Sequence, residues 1–519
     1  MAVNYALHSE FPVAAYKVRH TSRPRGDENF YVFRNRLLTA TSRAGLNCWS
    51  PFASIPASGL DDPRMMAVRA DDPGRALILG WLFRIMGVSP YLIFWIAPLL
   101  ASAVLLWSGW ELWWLGCRAA AAAFMLFTAL STFVAEALAL EYSAAGFYLV
   151  ALLLVVPLSA YASSSRRTPR GVLARALAAG AIFGAASLAR SASFFVAPVL
   201  LASVALAARG LYSDRPPVTV RIEGLRSEPF RFFAAPRWVF YAAAAIALFC
   251  LPYLALRSYS SHLVSRTSTA YGADAPEQRH DVWLSVWEGL GDFDRTKGHV
   301  WLDASAQQLL GREKVLMTPG AEKIFRRAVL THIRQDPGWF ARILLQRLAA
   351  TVFQRKLWPW GPLGGVSIAP QTAANEGVLD GYYSLVTPAD WFGIGMARVE
   401  LPVPLLIAFA VLLVALTVRP LRRPGTPHGR ATFVIVGALA IAAVAMPIAI
   451  TTAGAIETQA FMLVYVLAAA FVLDAIVRAH ERRRADASKT TAGPQLGDGI
   501  QTGPDVATAM SQPRHTREI

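Results

Sequence analysis

The residues of this chain that could do chemistry are few, and they stand among long apolar runs. Asp27-Glu28 lies in Gly26-Asp27-Glu28-Asn29-Phe30-Tyr31. Adjacent carboxylates in a polar loop beside a bilayer can take a proton from an acceptor hydroxyl or coordinate a divalent metal. A solvated turn would carry the same pair. Asp71-Asp72-Pro73 is similar, and capping of a helix from Ala76 is its simpler use. Glu136 and Glu141 sit at the end of an apolar run, where a carboxylate is expensive unless it faces water, a cavity or a cation. Arg190 interrupts an apolar block and is a candidate on the same ground. Its guanidinium could clamp a phosphate through two parallel donors, or pair with Glu136 or Glu141.

A second concentration runs from His280 through Trp283, Trp287, Glu288, Asp292 and His299 to Asp303. Indole faces stack on the apolar faces of sugars, and carboxylates accept hydrogen bonds from hydroxyls. Trp283, Trp287, Asp303 and His280 are therefore candidates for a sugar-binding surface; a small domain core with tryptophan inside is the alternative. His280 and His299 lack metal-ligand spacing. Glu457, in a loop before the last apolar run, is one more candidate for the same cavity. The sequence has no P-loop, dinucleotide fingerprint or Gly-x-Ser-x-Gly elbow, so ATP-driven transport and serine hydrolysis have no support. Cys48, Cys117 and Cys250 are too scattered for a disulfide framework or a cysteine zinc site.

The elements that must position these residues are membrane spans. Of 519 residues, 55% are hydrophobic and only 16% charged, with a mean hydropathy of +0.39. Soluble domains carry about a quarter charged residues. These values exclude a soluble enzyme, a disordered chain and a coiled coil. A span needs roughly 20 apolar residues. Runs at 91–109, 119–135, 144–161, 238–256, 402–418, 431–450 and 460–477 qualify. The block 172–208 reads as two short helices with Arg190 at or near the turn. The expectation is an all-α polytopic membrane protein of about nine transmembrane helices.

The net charge of +16 belongs to loops between spans, which argues for topology rather than nucleic acid. Basic loops at 166–175, 209–237, 419–430 and 478–484 are read as cytoplasmic. Residues 258–400 then form an extracytoplasmic segment, and the C-terminus is cytoplasmic. Within that segment 321–335 and 338–354 have apolar residues at helical spacing, separated by Asp336-Pro337, and read as helices lying on the bilayer face. Counting back puts residues 1–90 outside with no span before them, so either a first helix is missing, the preferred expectation, or the N-terminus is cytoplasmic and one hairpin is misread. An amphipathic piece is expected at 76–87. The organisation is thus an outer loop 1–90, a helical core 91–257, the outer segment 258–400, C-terminal helices 401–480 and a disordered tail 481–519.

The acidic pair, Asp72-Pro73-Gly74-Arg75 opening a helix, the helix residues Gly180, Gly184, Leu188 and Arg190, the stretch Trp287 to Gly291 and a large outer segment together resemble one family. It is the GT-C superfamily of polytopic glycosyltransferases, in its bacterial protein-mannosyltransferase-like and aminoarabinose-transferase-like branch. The resemblance implies a polyprenyl-phosphate sugar donor, an acceptor glycan, lipid or protein, and inverting transfer at the outer face of the plasma (inner) membrane. It implies Asp27 or Glu28 as general base and Arg190 as a contact to the lipid phosphate. No resident cofactor follows with certainty; a divalent metal fits the acidic loop. A transporter or flippase of a lipid-linked glycan, and a non-catalytic membrane assembly protein, are the rival readings. A flippase should show internal repeats, and none is clear.

Overall fold

A backbone that crosses hydrocarbon must satisfy its own N–H and C=O groups, so the apolar runs become helices. A computed structural model describes residues 13–16, 66–69, 74–86, 92–139, 144–213, 237–271, 282–292, 297–299, 303–311, 319–353, 427–451 and 460–491. The chain is a multi-pass α-helical membrane protein: among the described residues seven helices are long and apolar enough to span. The run 402–418 lies outside the described residues. Two units are distinguished, Met1–Asp474 and Ala475–Ile519.

The first unit opens with two short strands that the turn-rich sequence did not announce. β1 (Val13–Tyr16) pairs antiparallel with β2 (Met66–Arg69), Val13 opposite Arg69. Four-residue strands are too short for a clear alternation. α1 (Gly74–Met86) is the expected amphipathic piece: Leu77, Leu79 and Phe83 are buried, while Trp81, Ile85 and Met86 are exposed.

α2 (Leu92–Trp114) is the first span. The single span expected over 119–135 is instead broken into α3 (Arg118–Ala129) and α4 (Thr132–Ala139). Ser131 makes the break, its hydroxyl accepting the Val134 N–H at 3.3 Å as an N-cap does. α3 alone rises only about 18 Å, short of a bilayer core. α5 (Ala144–Leu153) and α6 (Val155–Ser163) follow almost without interruption, and Gly146–Ser163 is 94% buried within the protein. Hydrophobic on all sides, this pair is the axis around which the other helices stand.

α7 (Pro169–Ala189) starts on a Thr168 cap with Pro169 in its first turn. It ends at Arg190, which is extended (φ −150°, ψ 108°). A 3-10 turn (Ser191–Val196) leads into α8 (Ala197–Ser213). The break expected near Arg190 is there, but the helices it joins are long enough to span rather than short. α9 (Arg237–Tyr271) runs on well past the 238–256 expected of it.

In the segment 258–400, here called the outer segment after the side expected of it, α10 (Val282–Gly289), α11 (Asp303–Leu310), α12 (Pro319–Gln335) and α13 (Pro337–Phe353) share a core of their own, built on Leu284, Trp287, Leu310, Phe325, Trp339 and Ile343. The helices expected at 321–335 and 338–354 are present. The stripe of α12 closes on this protein core, and α13 adds Trp339, Phe340 and Ile343 to it, while Leu345 and Leu348 of α13 stay exposed and Val352 packs on the core of the bundle. Asp336 makes the corner between them, its carboxylate accepting the Trp339 N–H at 2.9 Å. α14 (Pro427–Ala449) and α15 (Met462–Thr491) complete the set. α15 carries helix into the tail expected to be disordered from 481, through Glu481, Arg482, Ala485 and Ala487, all strong helix formers.

Named contacts give the helices their direction. A Cβ at Gly180 would run into the Phe249 carbonyl, and one at Gly184 would come within 3.0 Å of the Tyr253 nitrogen. α7 and α9 therefore run parallel and in close backbone contact, the small-xxx-small packing of membrane helices. Glu111 near the end of α2 pairs with Arg175 near the start of α7 at 2.7 Å, so those two helices are antiparallel. Gly74 of α1 abuts the Leu188–Ala189 backbone. The chain thus enters its first span from the end that holds Arg190, and the basic loop 166–170 lies at the other end.

Candidate functional site

The Arg190 end of the bundle gathers the polar chemistry. Arg190 is held by its backbone: its N–H donates to Ala186 O at 2.8 Å, and its carbonyl accepts from Ser193 N–H at 3.0 Å. The residues just beneath it are aromatic. Phe194 meets Tyr253 edge to face at 5.1 Å, Phe183 stacks on Phe249 at 5.3 Å, and Phe183 lies 6.0 Å from Phe194. Arg257, one turn further along α9, donates to the Tyr253 hydroxyl at 2.9 Å. The Arg190 backbone thus ends α7 at the end of the bundle where this aromatic wall and Arg257 lie, with α1 packed against the backbone just before it through Gly74.

The outer segment is bolted to this end by a buried polar cluster. Arg347 of α13 and Asp292, just beyond α10, pair Nε to Oδ2 at 3.2 Å, with both side chains fully buried. Arg347 Nη1 donates to the Ile448 carbonyl at 2.9 Å, and the Thr451 hydroxyl donates to Asp292 Oδ1 at 2.7 Å. Arg347 therefore caps the C-terminus of α14, where a cation also suits the helix dipole. Gly289 allows this approach, since a Cβ there would collide with the Ile450 carbonyl.

Deeper in the outer segment His299 Nε2 and His332 Nδ1 lie 2.8 Å apart. His299 is enclosed by Trp287 (5.0 Å) and Trp339 (5.8 Å). Burial, then the neighbouring His332, pushes the His299 pKa down to about 4 against the opposing pull of the Trp287 backbone. Burial and then Lys297 lower His332 as well. Lys297 sits 4.1 Å over the Trp339 ring and pairs with Asp336 at 3.2 Å, which together with the Trp339 N–H lowers the Asp336 pKa.

Of the residues singled out from the sequence, Arg190 stands at the site. Asp27, Glu28, Glu141, His280 and Glu457 lie outside the described residues. Glu136 is on α4 and Asp303 opens α11; only their backbones are described. Trp287 is buried in the outer-segment core, which is the core alternative rather than a ring face open to a sugar. Trp283 is half-buried, with Arg326 Cζ 5.9 Å from its ring. Among the described residues no three His, Cys, Asp or Glu side chains converge to hold a metal ion.

The chain matches no protein-family model, no curated protein and no solved structure.

Sequence reasoning passed over two clusters. Arg347 reads as one of several arginines on an amphipathic helix, and nothing local marks it as the buried one. Glu111 did carry a signal: it is an acidic residue near the end of an apolar run, which calls for a partner. That partner is Arg175, with the Trp107 indole N–H donating to the same Glu111 oxygen at 3.0 Å.

Proposed function

We propose that this protein is a membrane glycosyltransferase that moves a sugar from a polyprenyl-phosphate donor to an acceptor hydroxyl. The observation that carries the reading is the position of Arg190. It breaks two spans at one end of the bundle, and the helices and turn that meet there carry the Phe183–Phe194–Phe249–Tyr253 wall and Arg257. A lipid phosphate needs that combination: cations for the charge that grows on the departing phosphate, and apolar surface for the prenyl tail. The acceptor oxygen attacks the anomeric carbon as the carbon–oxygen bond to phosphate breaks. Its proton passes to a carboxylate, for which Asp27 or Glu28 is the choice, and polyprenyl phosphate leaves. The distribution of basic loops supports reading this end as the outer face of a bacterial plasma membrane, with the C-terminus in the cytoplasm.

The test is transfer of radiolabelled sugar from a panel of polyprenyl-phosphate donors in membranes containing the chain, with Asp27→Ala/Glu28→Ala as the paired control. Transfer that disappears in the double variant is the expected result. Donor translocation without transfer would make the protein a transporter. A folded protein that neither binds nor uses any donor would make it an assembly factor.

A further inference from the structure

The end of the bundle opposite Arg190 carries an arrangement that sugar transfer does not use. α2 closes there in a Schellman turn: Cys117 N–H donates to Leu112 O and Gly116 N–H to Trp113 O, both at 3.0 Å, with Gly116 at φ 86°. Leu112 and Cys117 are both fully buried, which pins the turn. The chain folds back so that Arg118, the first residue of α3, lies over the Trp113 ring, Cζ to centroid 5.1 Å. From the loop after α6, Arg166 lies over the adjacent Trp114 at 4.5 Å. Both indoles are about half exposed (51% and 45%), and both arginines are exposed.

Neither guanidinium makes an ion pair or a side-chain hydrogen bond among the described residues. The carboxylates described beside α2 and α3 are engaged elsewhere. Glu111 holds Arg175 and the Trp107 indole, and Asp474 Oδ1 accepts the N–H groups of Ala119 (3.1 Å) and Ala120 (3.3 Å). The corner is therefore a pair of cations with no carboxylate partner among the described residues, each positioned over an indole ring. Tryptophan at the end of a span sits at headgroup depth. A guanidinium over a ring face is attracted by the ring's electrons while its N–H fork remains able to take two phosphate oxygens at once.

We propose that this corner binds an anionic phospholipid of the adjacent leaflet. Arg118 and Arg166 donate to the phosphate oxygens, and Trp113 and Trp114 pack on the glycerol and the first methylenes of the acyl chain. The site is separate from the donor site and does not depend on it.

The test is native mass spectrometry of the delipidated full chain, titrated with phosphatidylglycerol and with phosphatidylcholine. The expected result is a clear preference for phosphatidylglycerol that falls about tenfold in Arg118→Gln/Arg166→Gln, in line with juxtamembrane cations acting on anionic lipid. Arg327→Gln, an exposed arginine on α12 that belongs to neither site, should leave the preference intact. Arg118→Lys/Arg166→Lys keeps both charges but forfeits the two-pronged donor fork, and should lose a measurable part of it; this pair also serves if the glutamine pair does not fold. Equal uptake of the two lipids by the wild-type chain, or an undiminished preference in both double variants, would overturn the proposal. So would displacement of phosphatidylglycerol by millimolar glycerol 3-phosphate, which would make a soluble phosphate the ligand.

Discussion

Arg347 on α13 and Asp292 just beyond α10 both belong to the outer segment, yet their buried ion pair closes on the end of a membrane span. Nε stands 3.2 Å from Oδ2, and the same guanidinium reaches the Ile448 carbonyl while Thr451 takes the second carboxylate oxygen. Outer segment and bundle are thereby one mechanical piece at this point.

Removing one partner strands a charge in the interior. Arg347→Met is expected to destabilise the protein by about 3 kcal/mol or more, the usual penalty for breaking a buried pair. Arg347→Met/Asp292→Leu should cost less than the two single changes added together. Thermal unfolding of the purified chain in detergent measures all three.

The close crossing of α7 on α9 depends on Gly180. Gly180→Val drives a side chain into the Phe249 carbonyl and should lower stability by about 1–3 kcal/mol. Gly184→Ala meets the Tyr253 backbone at 3.0 Å and should be the milder change in the same melting experiment.

The histidine pair gives the outer segment a pH dependence. His299 lies at about 4 and His332 is also lowered, against an ordinary value of 6.5. Between those values the unfolded chain binds more protons than the folded one. Stability is therefore full above pH 6.5 and declines as pH falls toward 4. Melting temperatures between pH 7.5 and 4.5 should fall for the wild-type protein and fall less for His299→Phe.

If Arg190 contacts the donor phosphate, Arg190→Ala should slow transfer about a hundredfold, the scale of losing one transition-state donor. Arg190→Lys should recover part of the rate. Equal initial rates for wild type and Arg190→Ala would remove Arg190 from the reaction.

Asp474 holds the start of α3 through the Ala119 and Ala120 amides. Asp474→Ala should destabilise by about 1 kcal/mol, as loss of a helix cap does, and Asp474→Asn by less. Hydrogen exchange at Ala119 and Ala120 should quicken in the alanine variant.

Much of this architecture is legible in the sequence because lipid imposes a coarse rule: long apolar runs become helices. The turn at Arg190, the Asp336 corner and the two helices beside it follow from local signals of the same kind. The break at Ser131 was missed because alanine-rich flanks hide a single cap. The Arg347–Asp292–Thr451 cluster was missed for a different reason. Its members are 55 and 104 residues from Arg347 along the chain in opposite directions, and only the packing of α13 on α14 decides which arginine turns inward. The Gly180–Gly184 pair is explained by helix contact, so the fold alone accounts for that part of the family-like pattern.

Gly146–Ser163 and Trp238–Leu263 are both strongly apolar, but the first is 94% buried in protein and the second 17%. The two should therefore tolerate substitution differently. Around the axial pair, neighbours on every side fix the volume of each side chain, so drift there must be compensated by a second change nearby. Along α9 the outward positions answer only to the solvent they face, and leucine, phenylalanine and valine can replace one another freely. Hydropathy alone would treat the two segments alike; comparison of related chains should separate them by size variance, with the narrow distribution at 146–163.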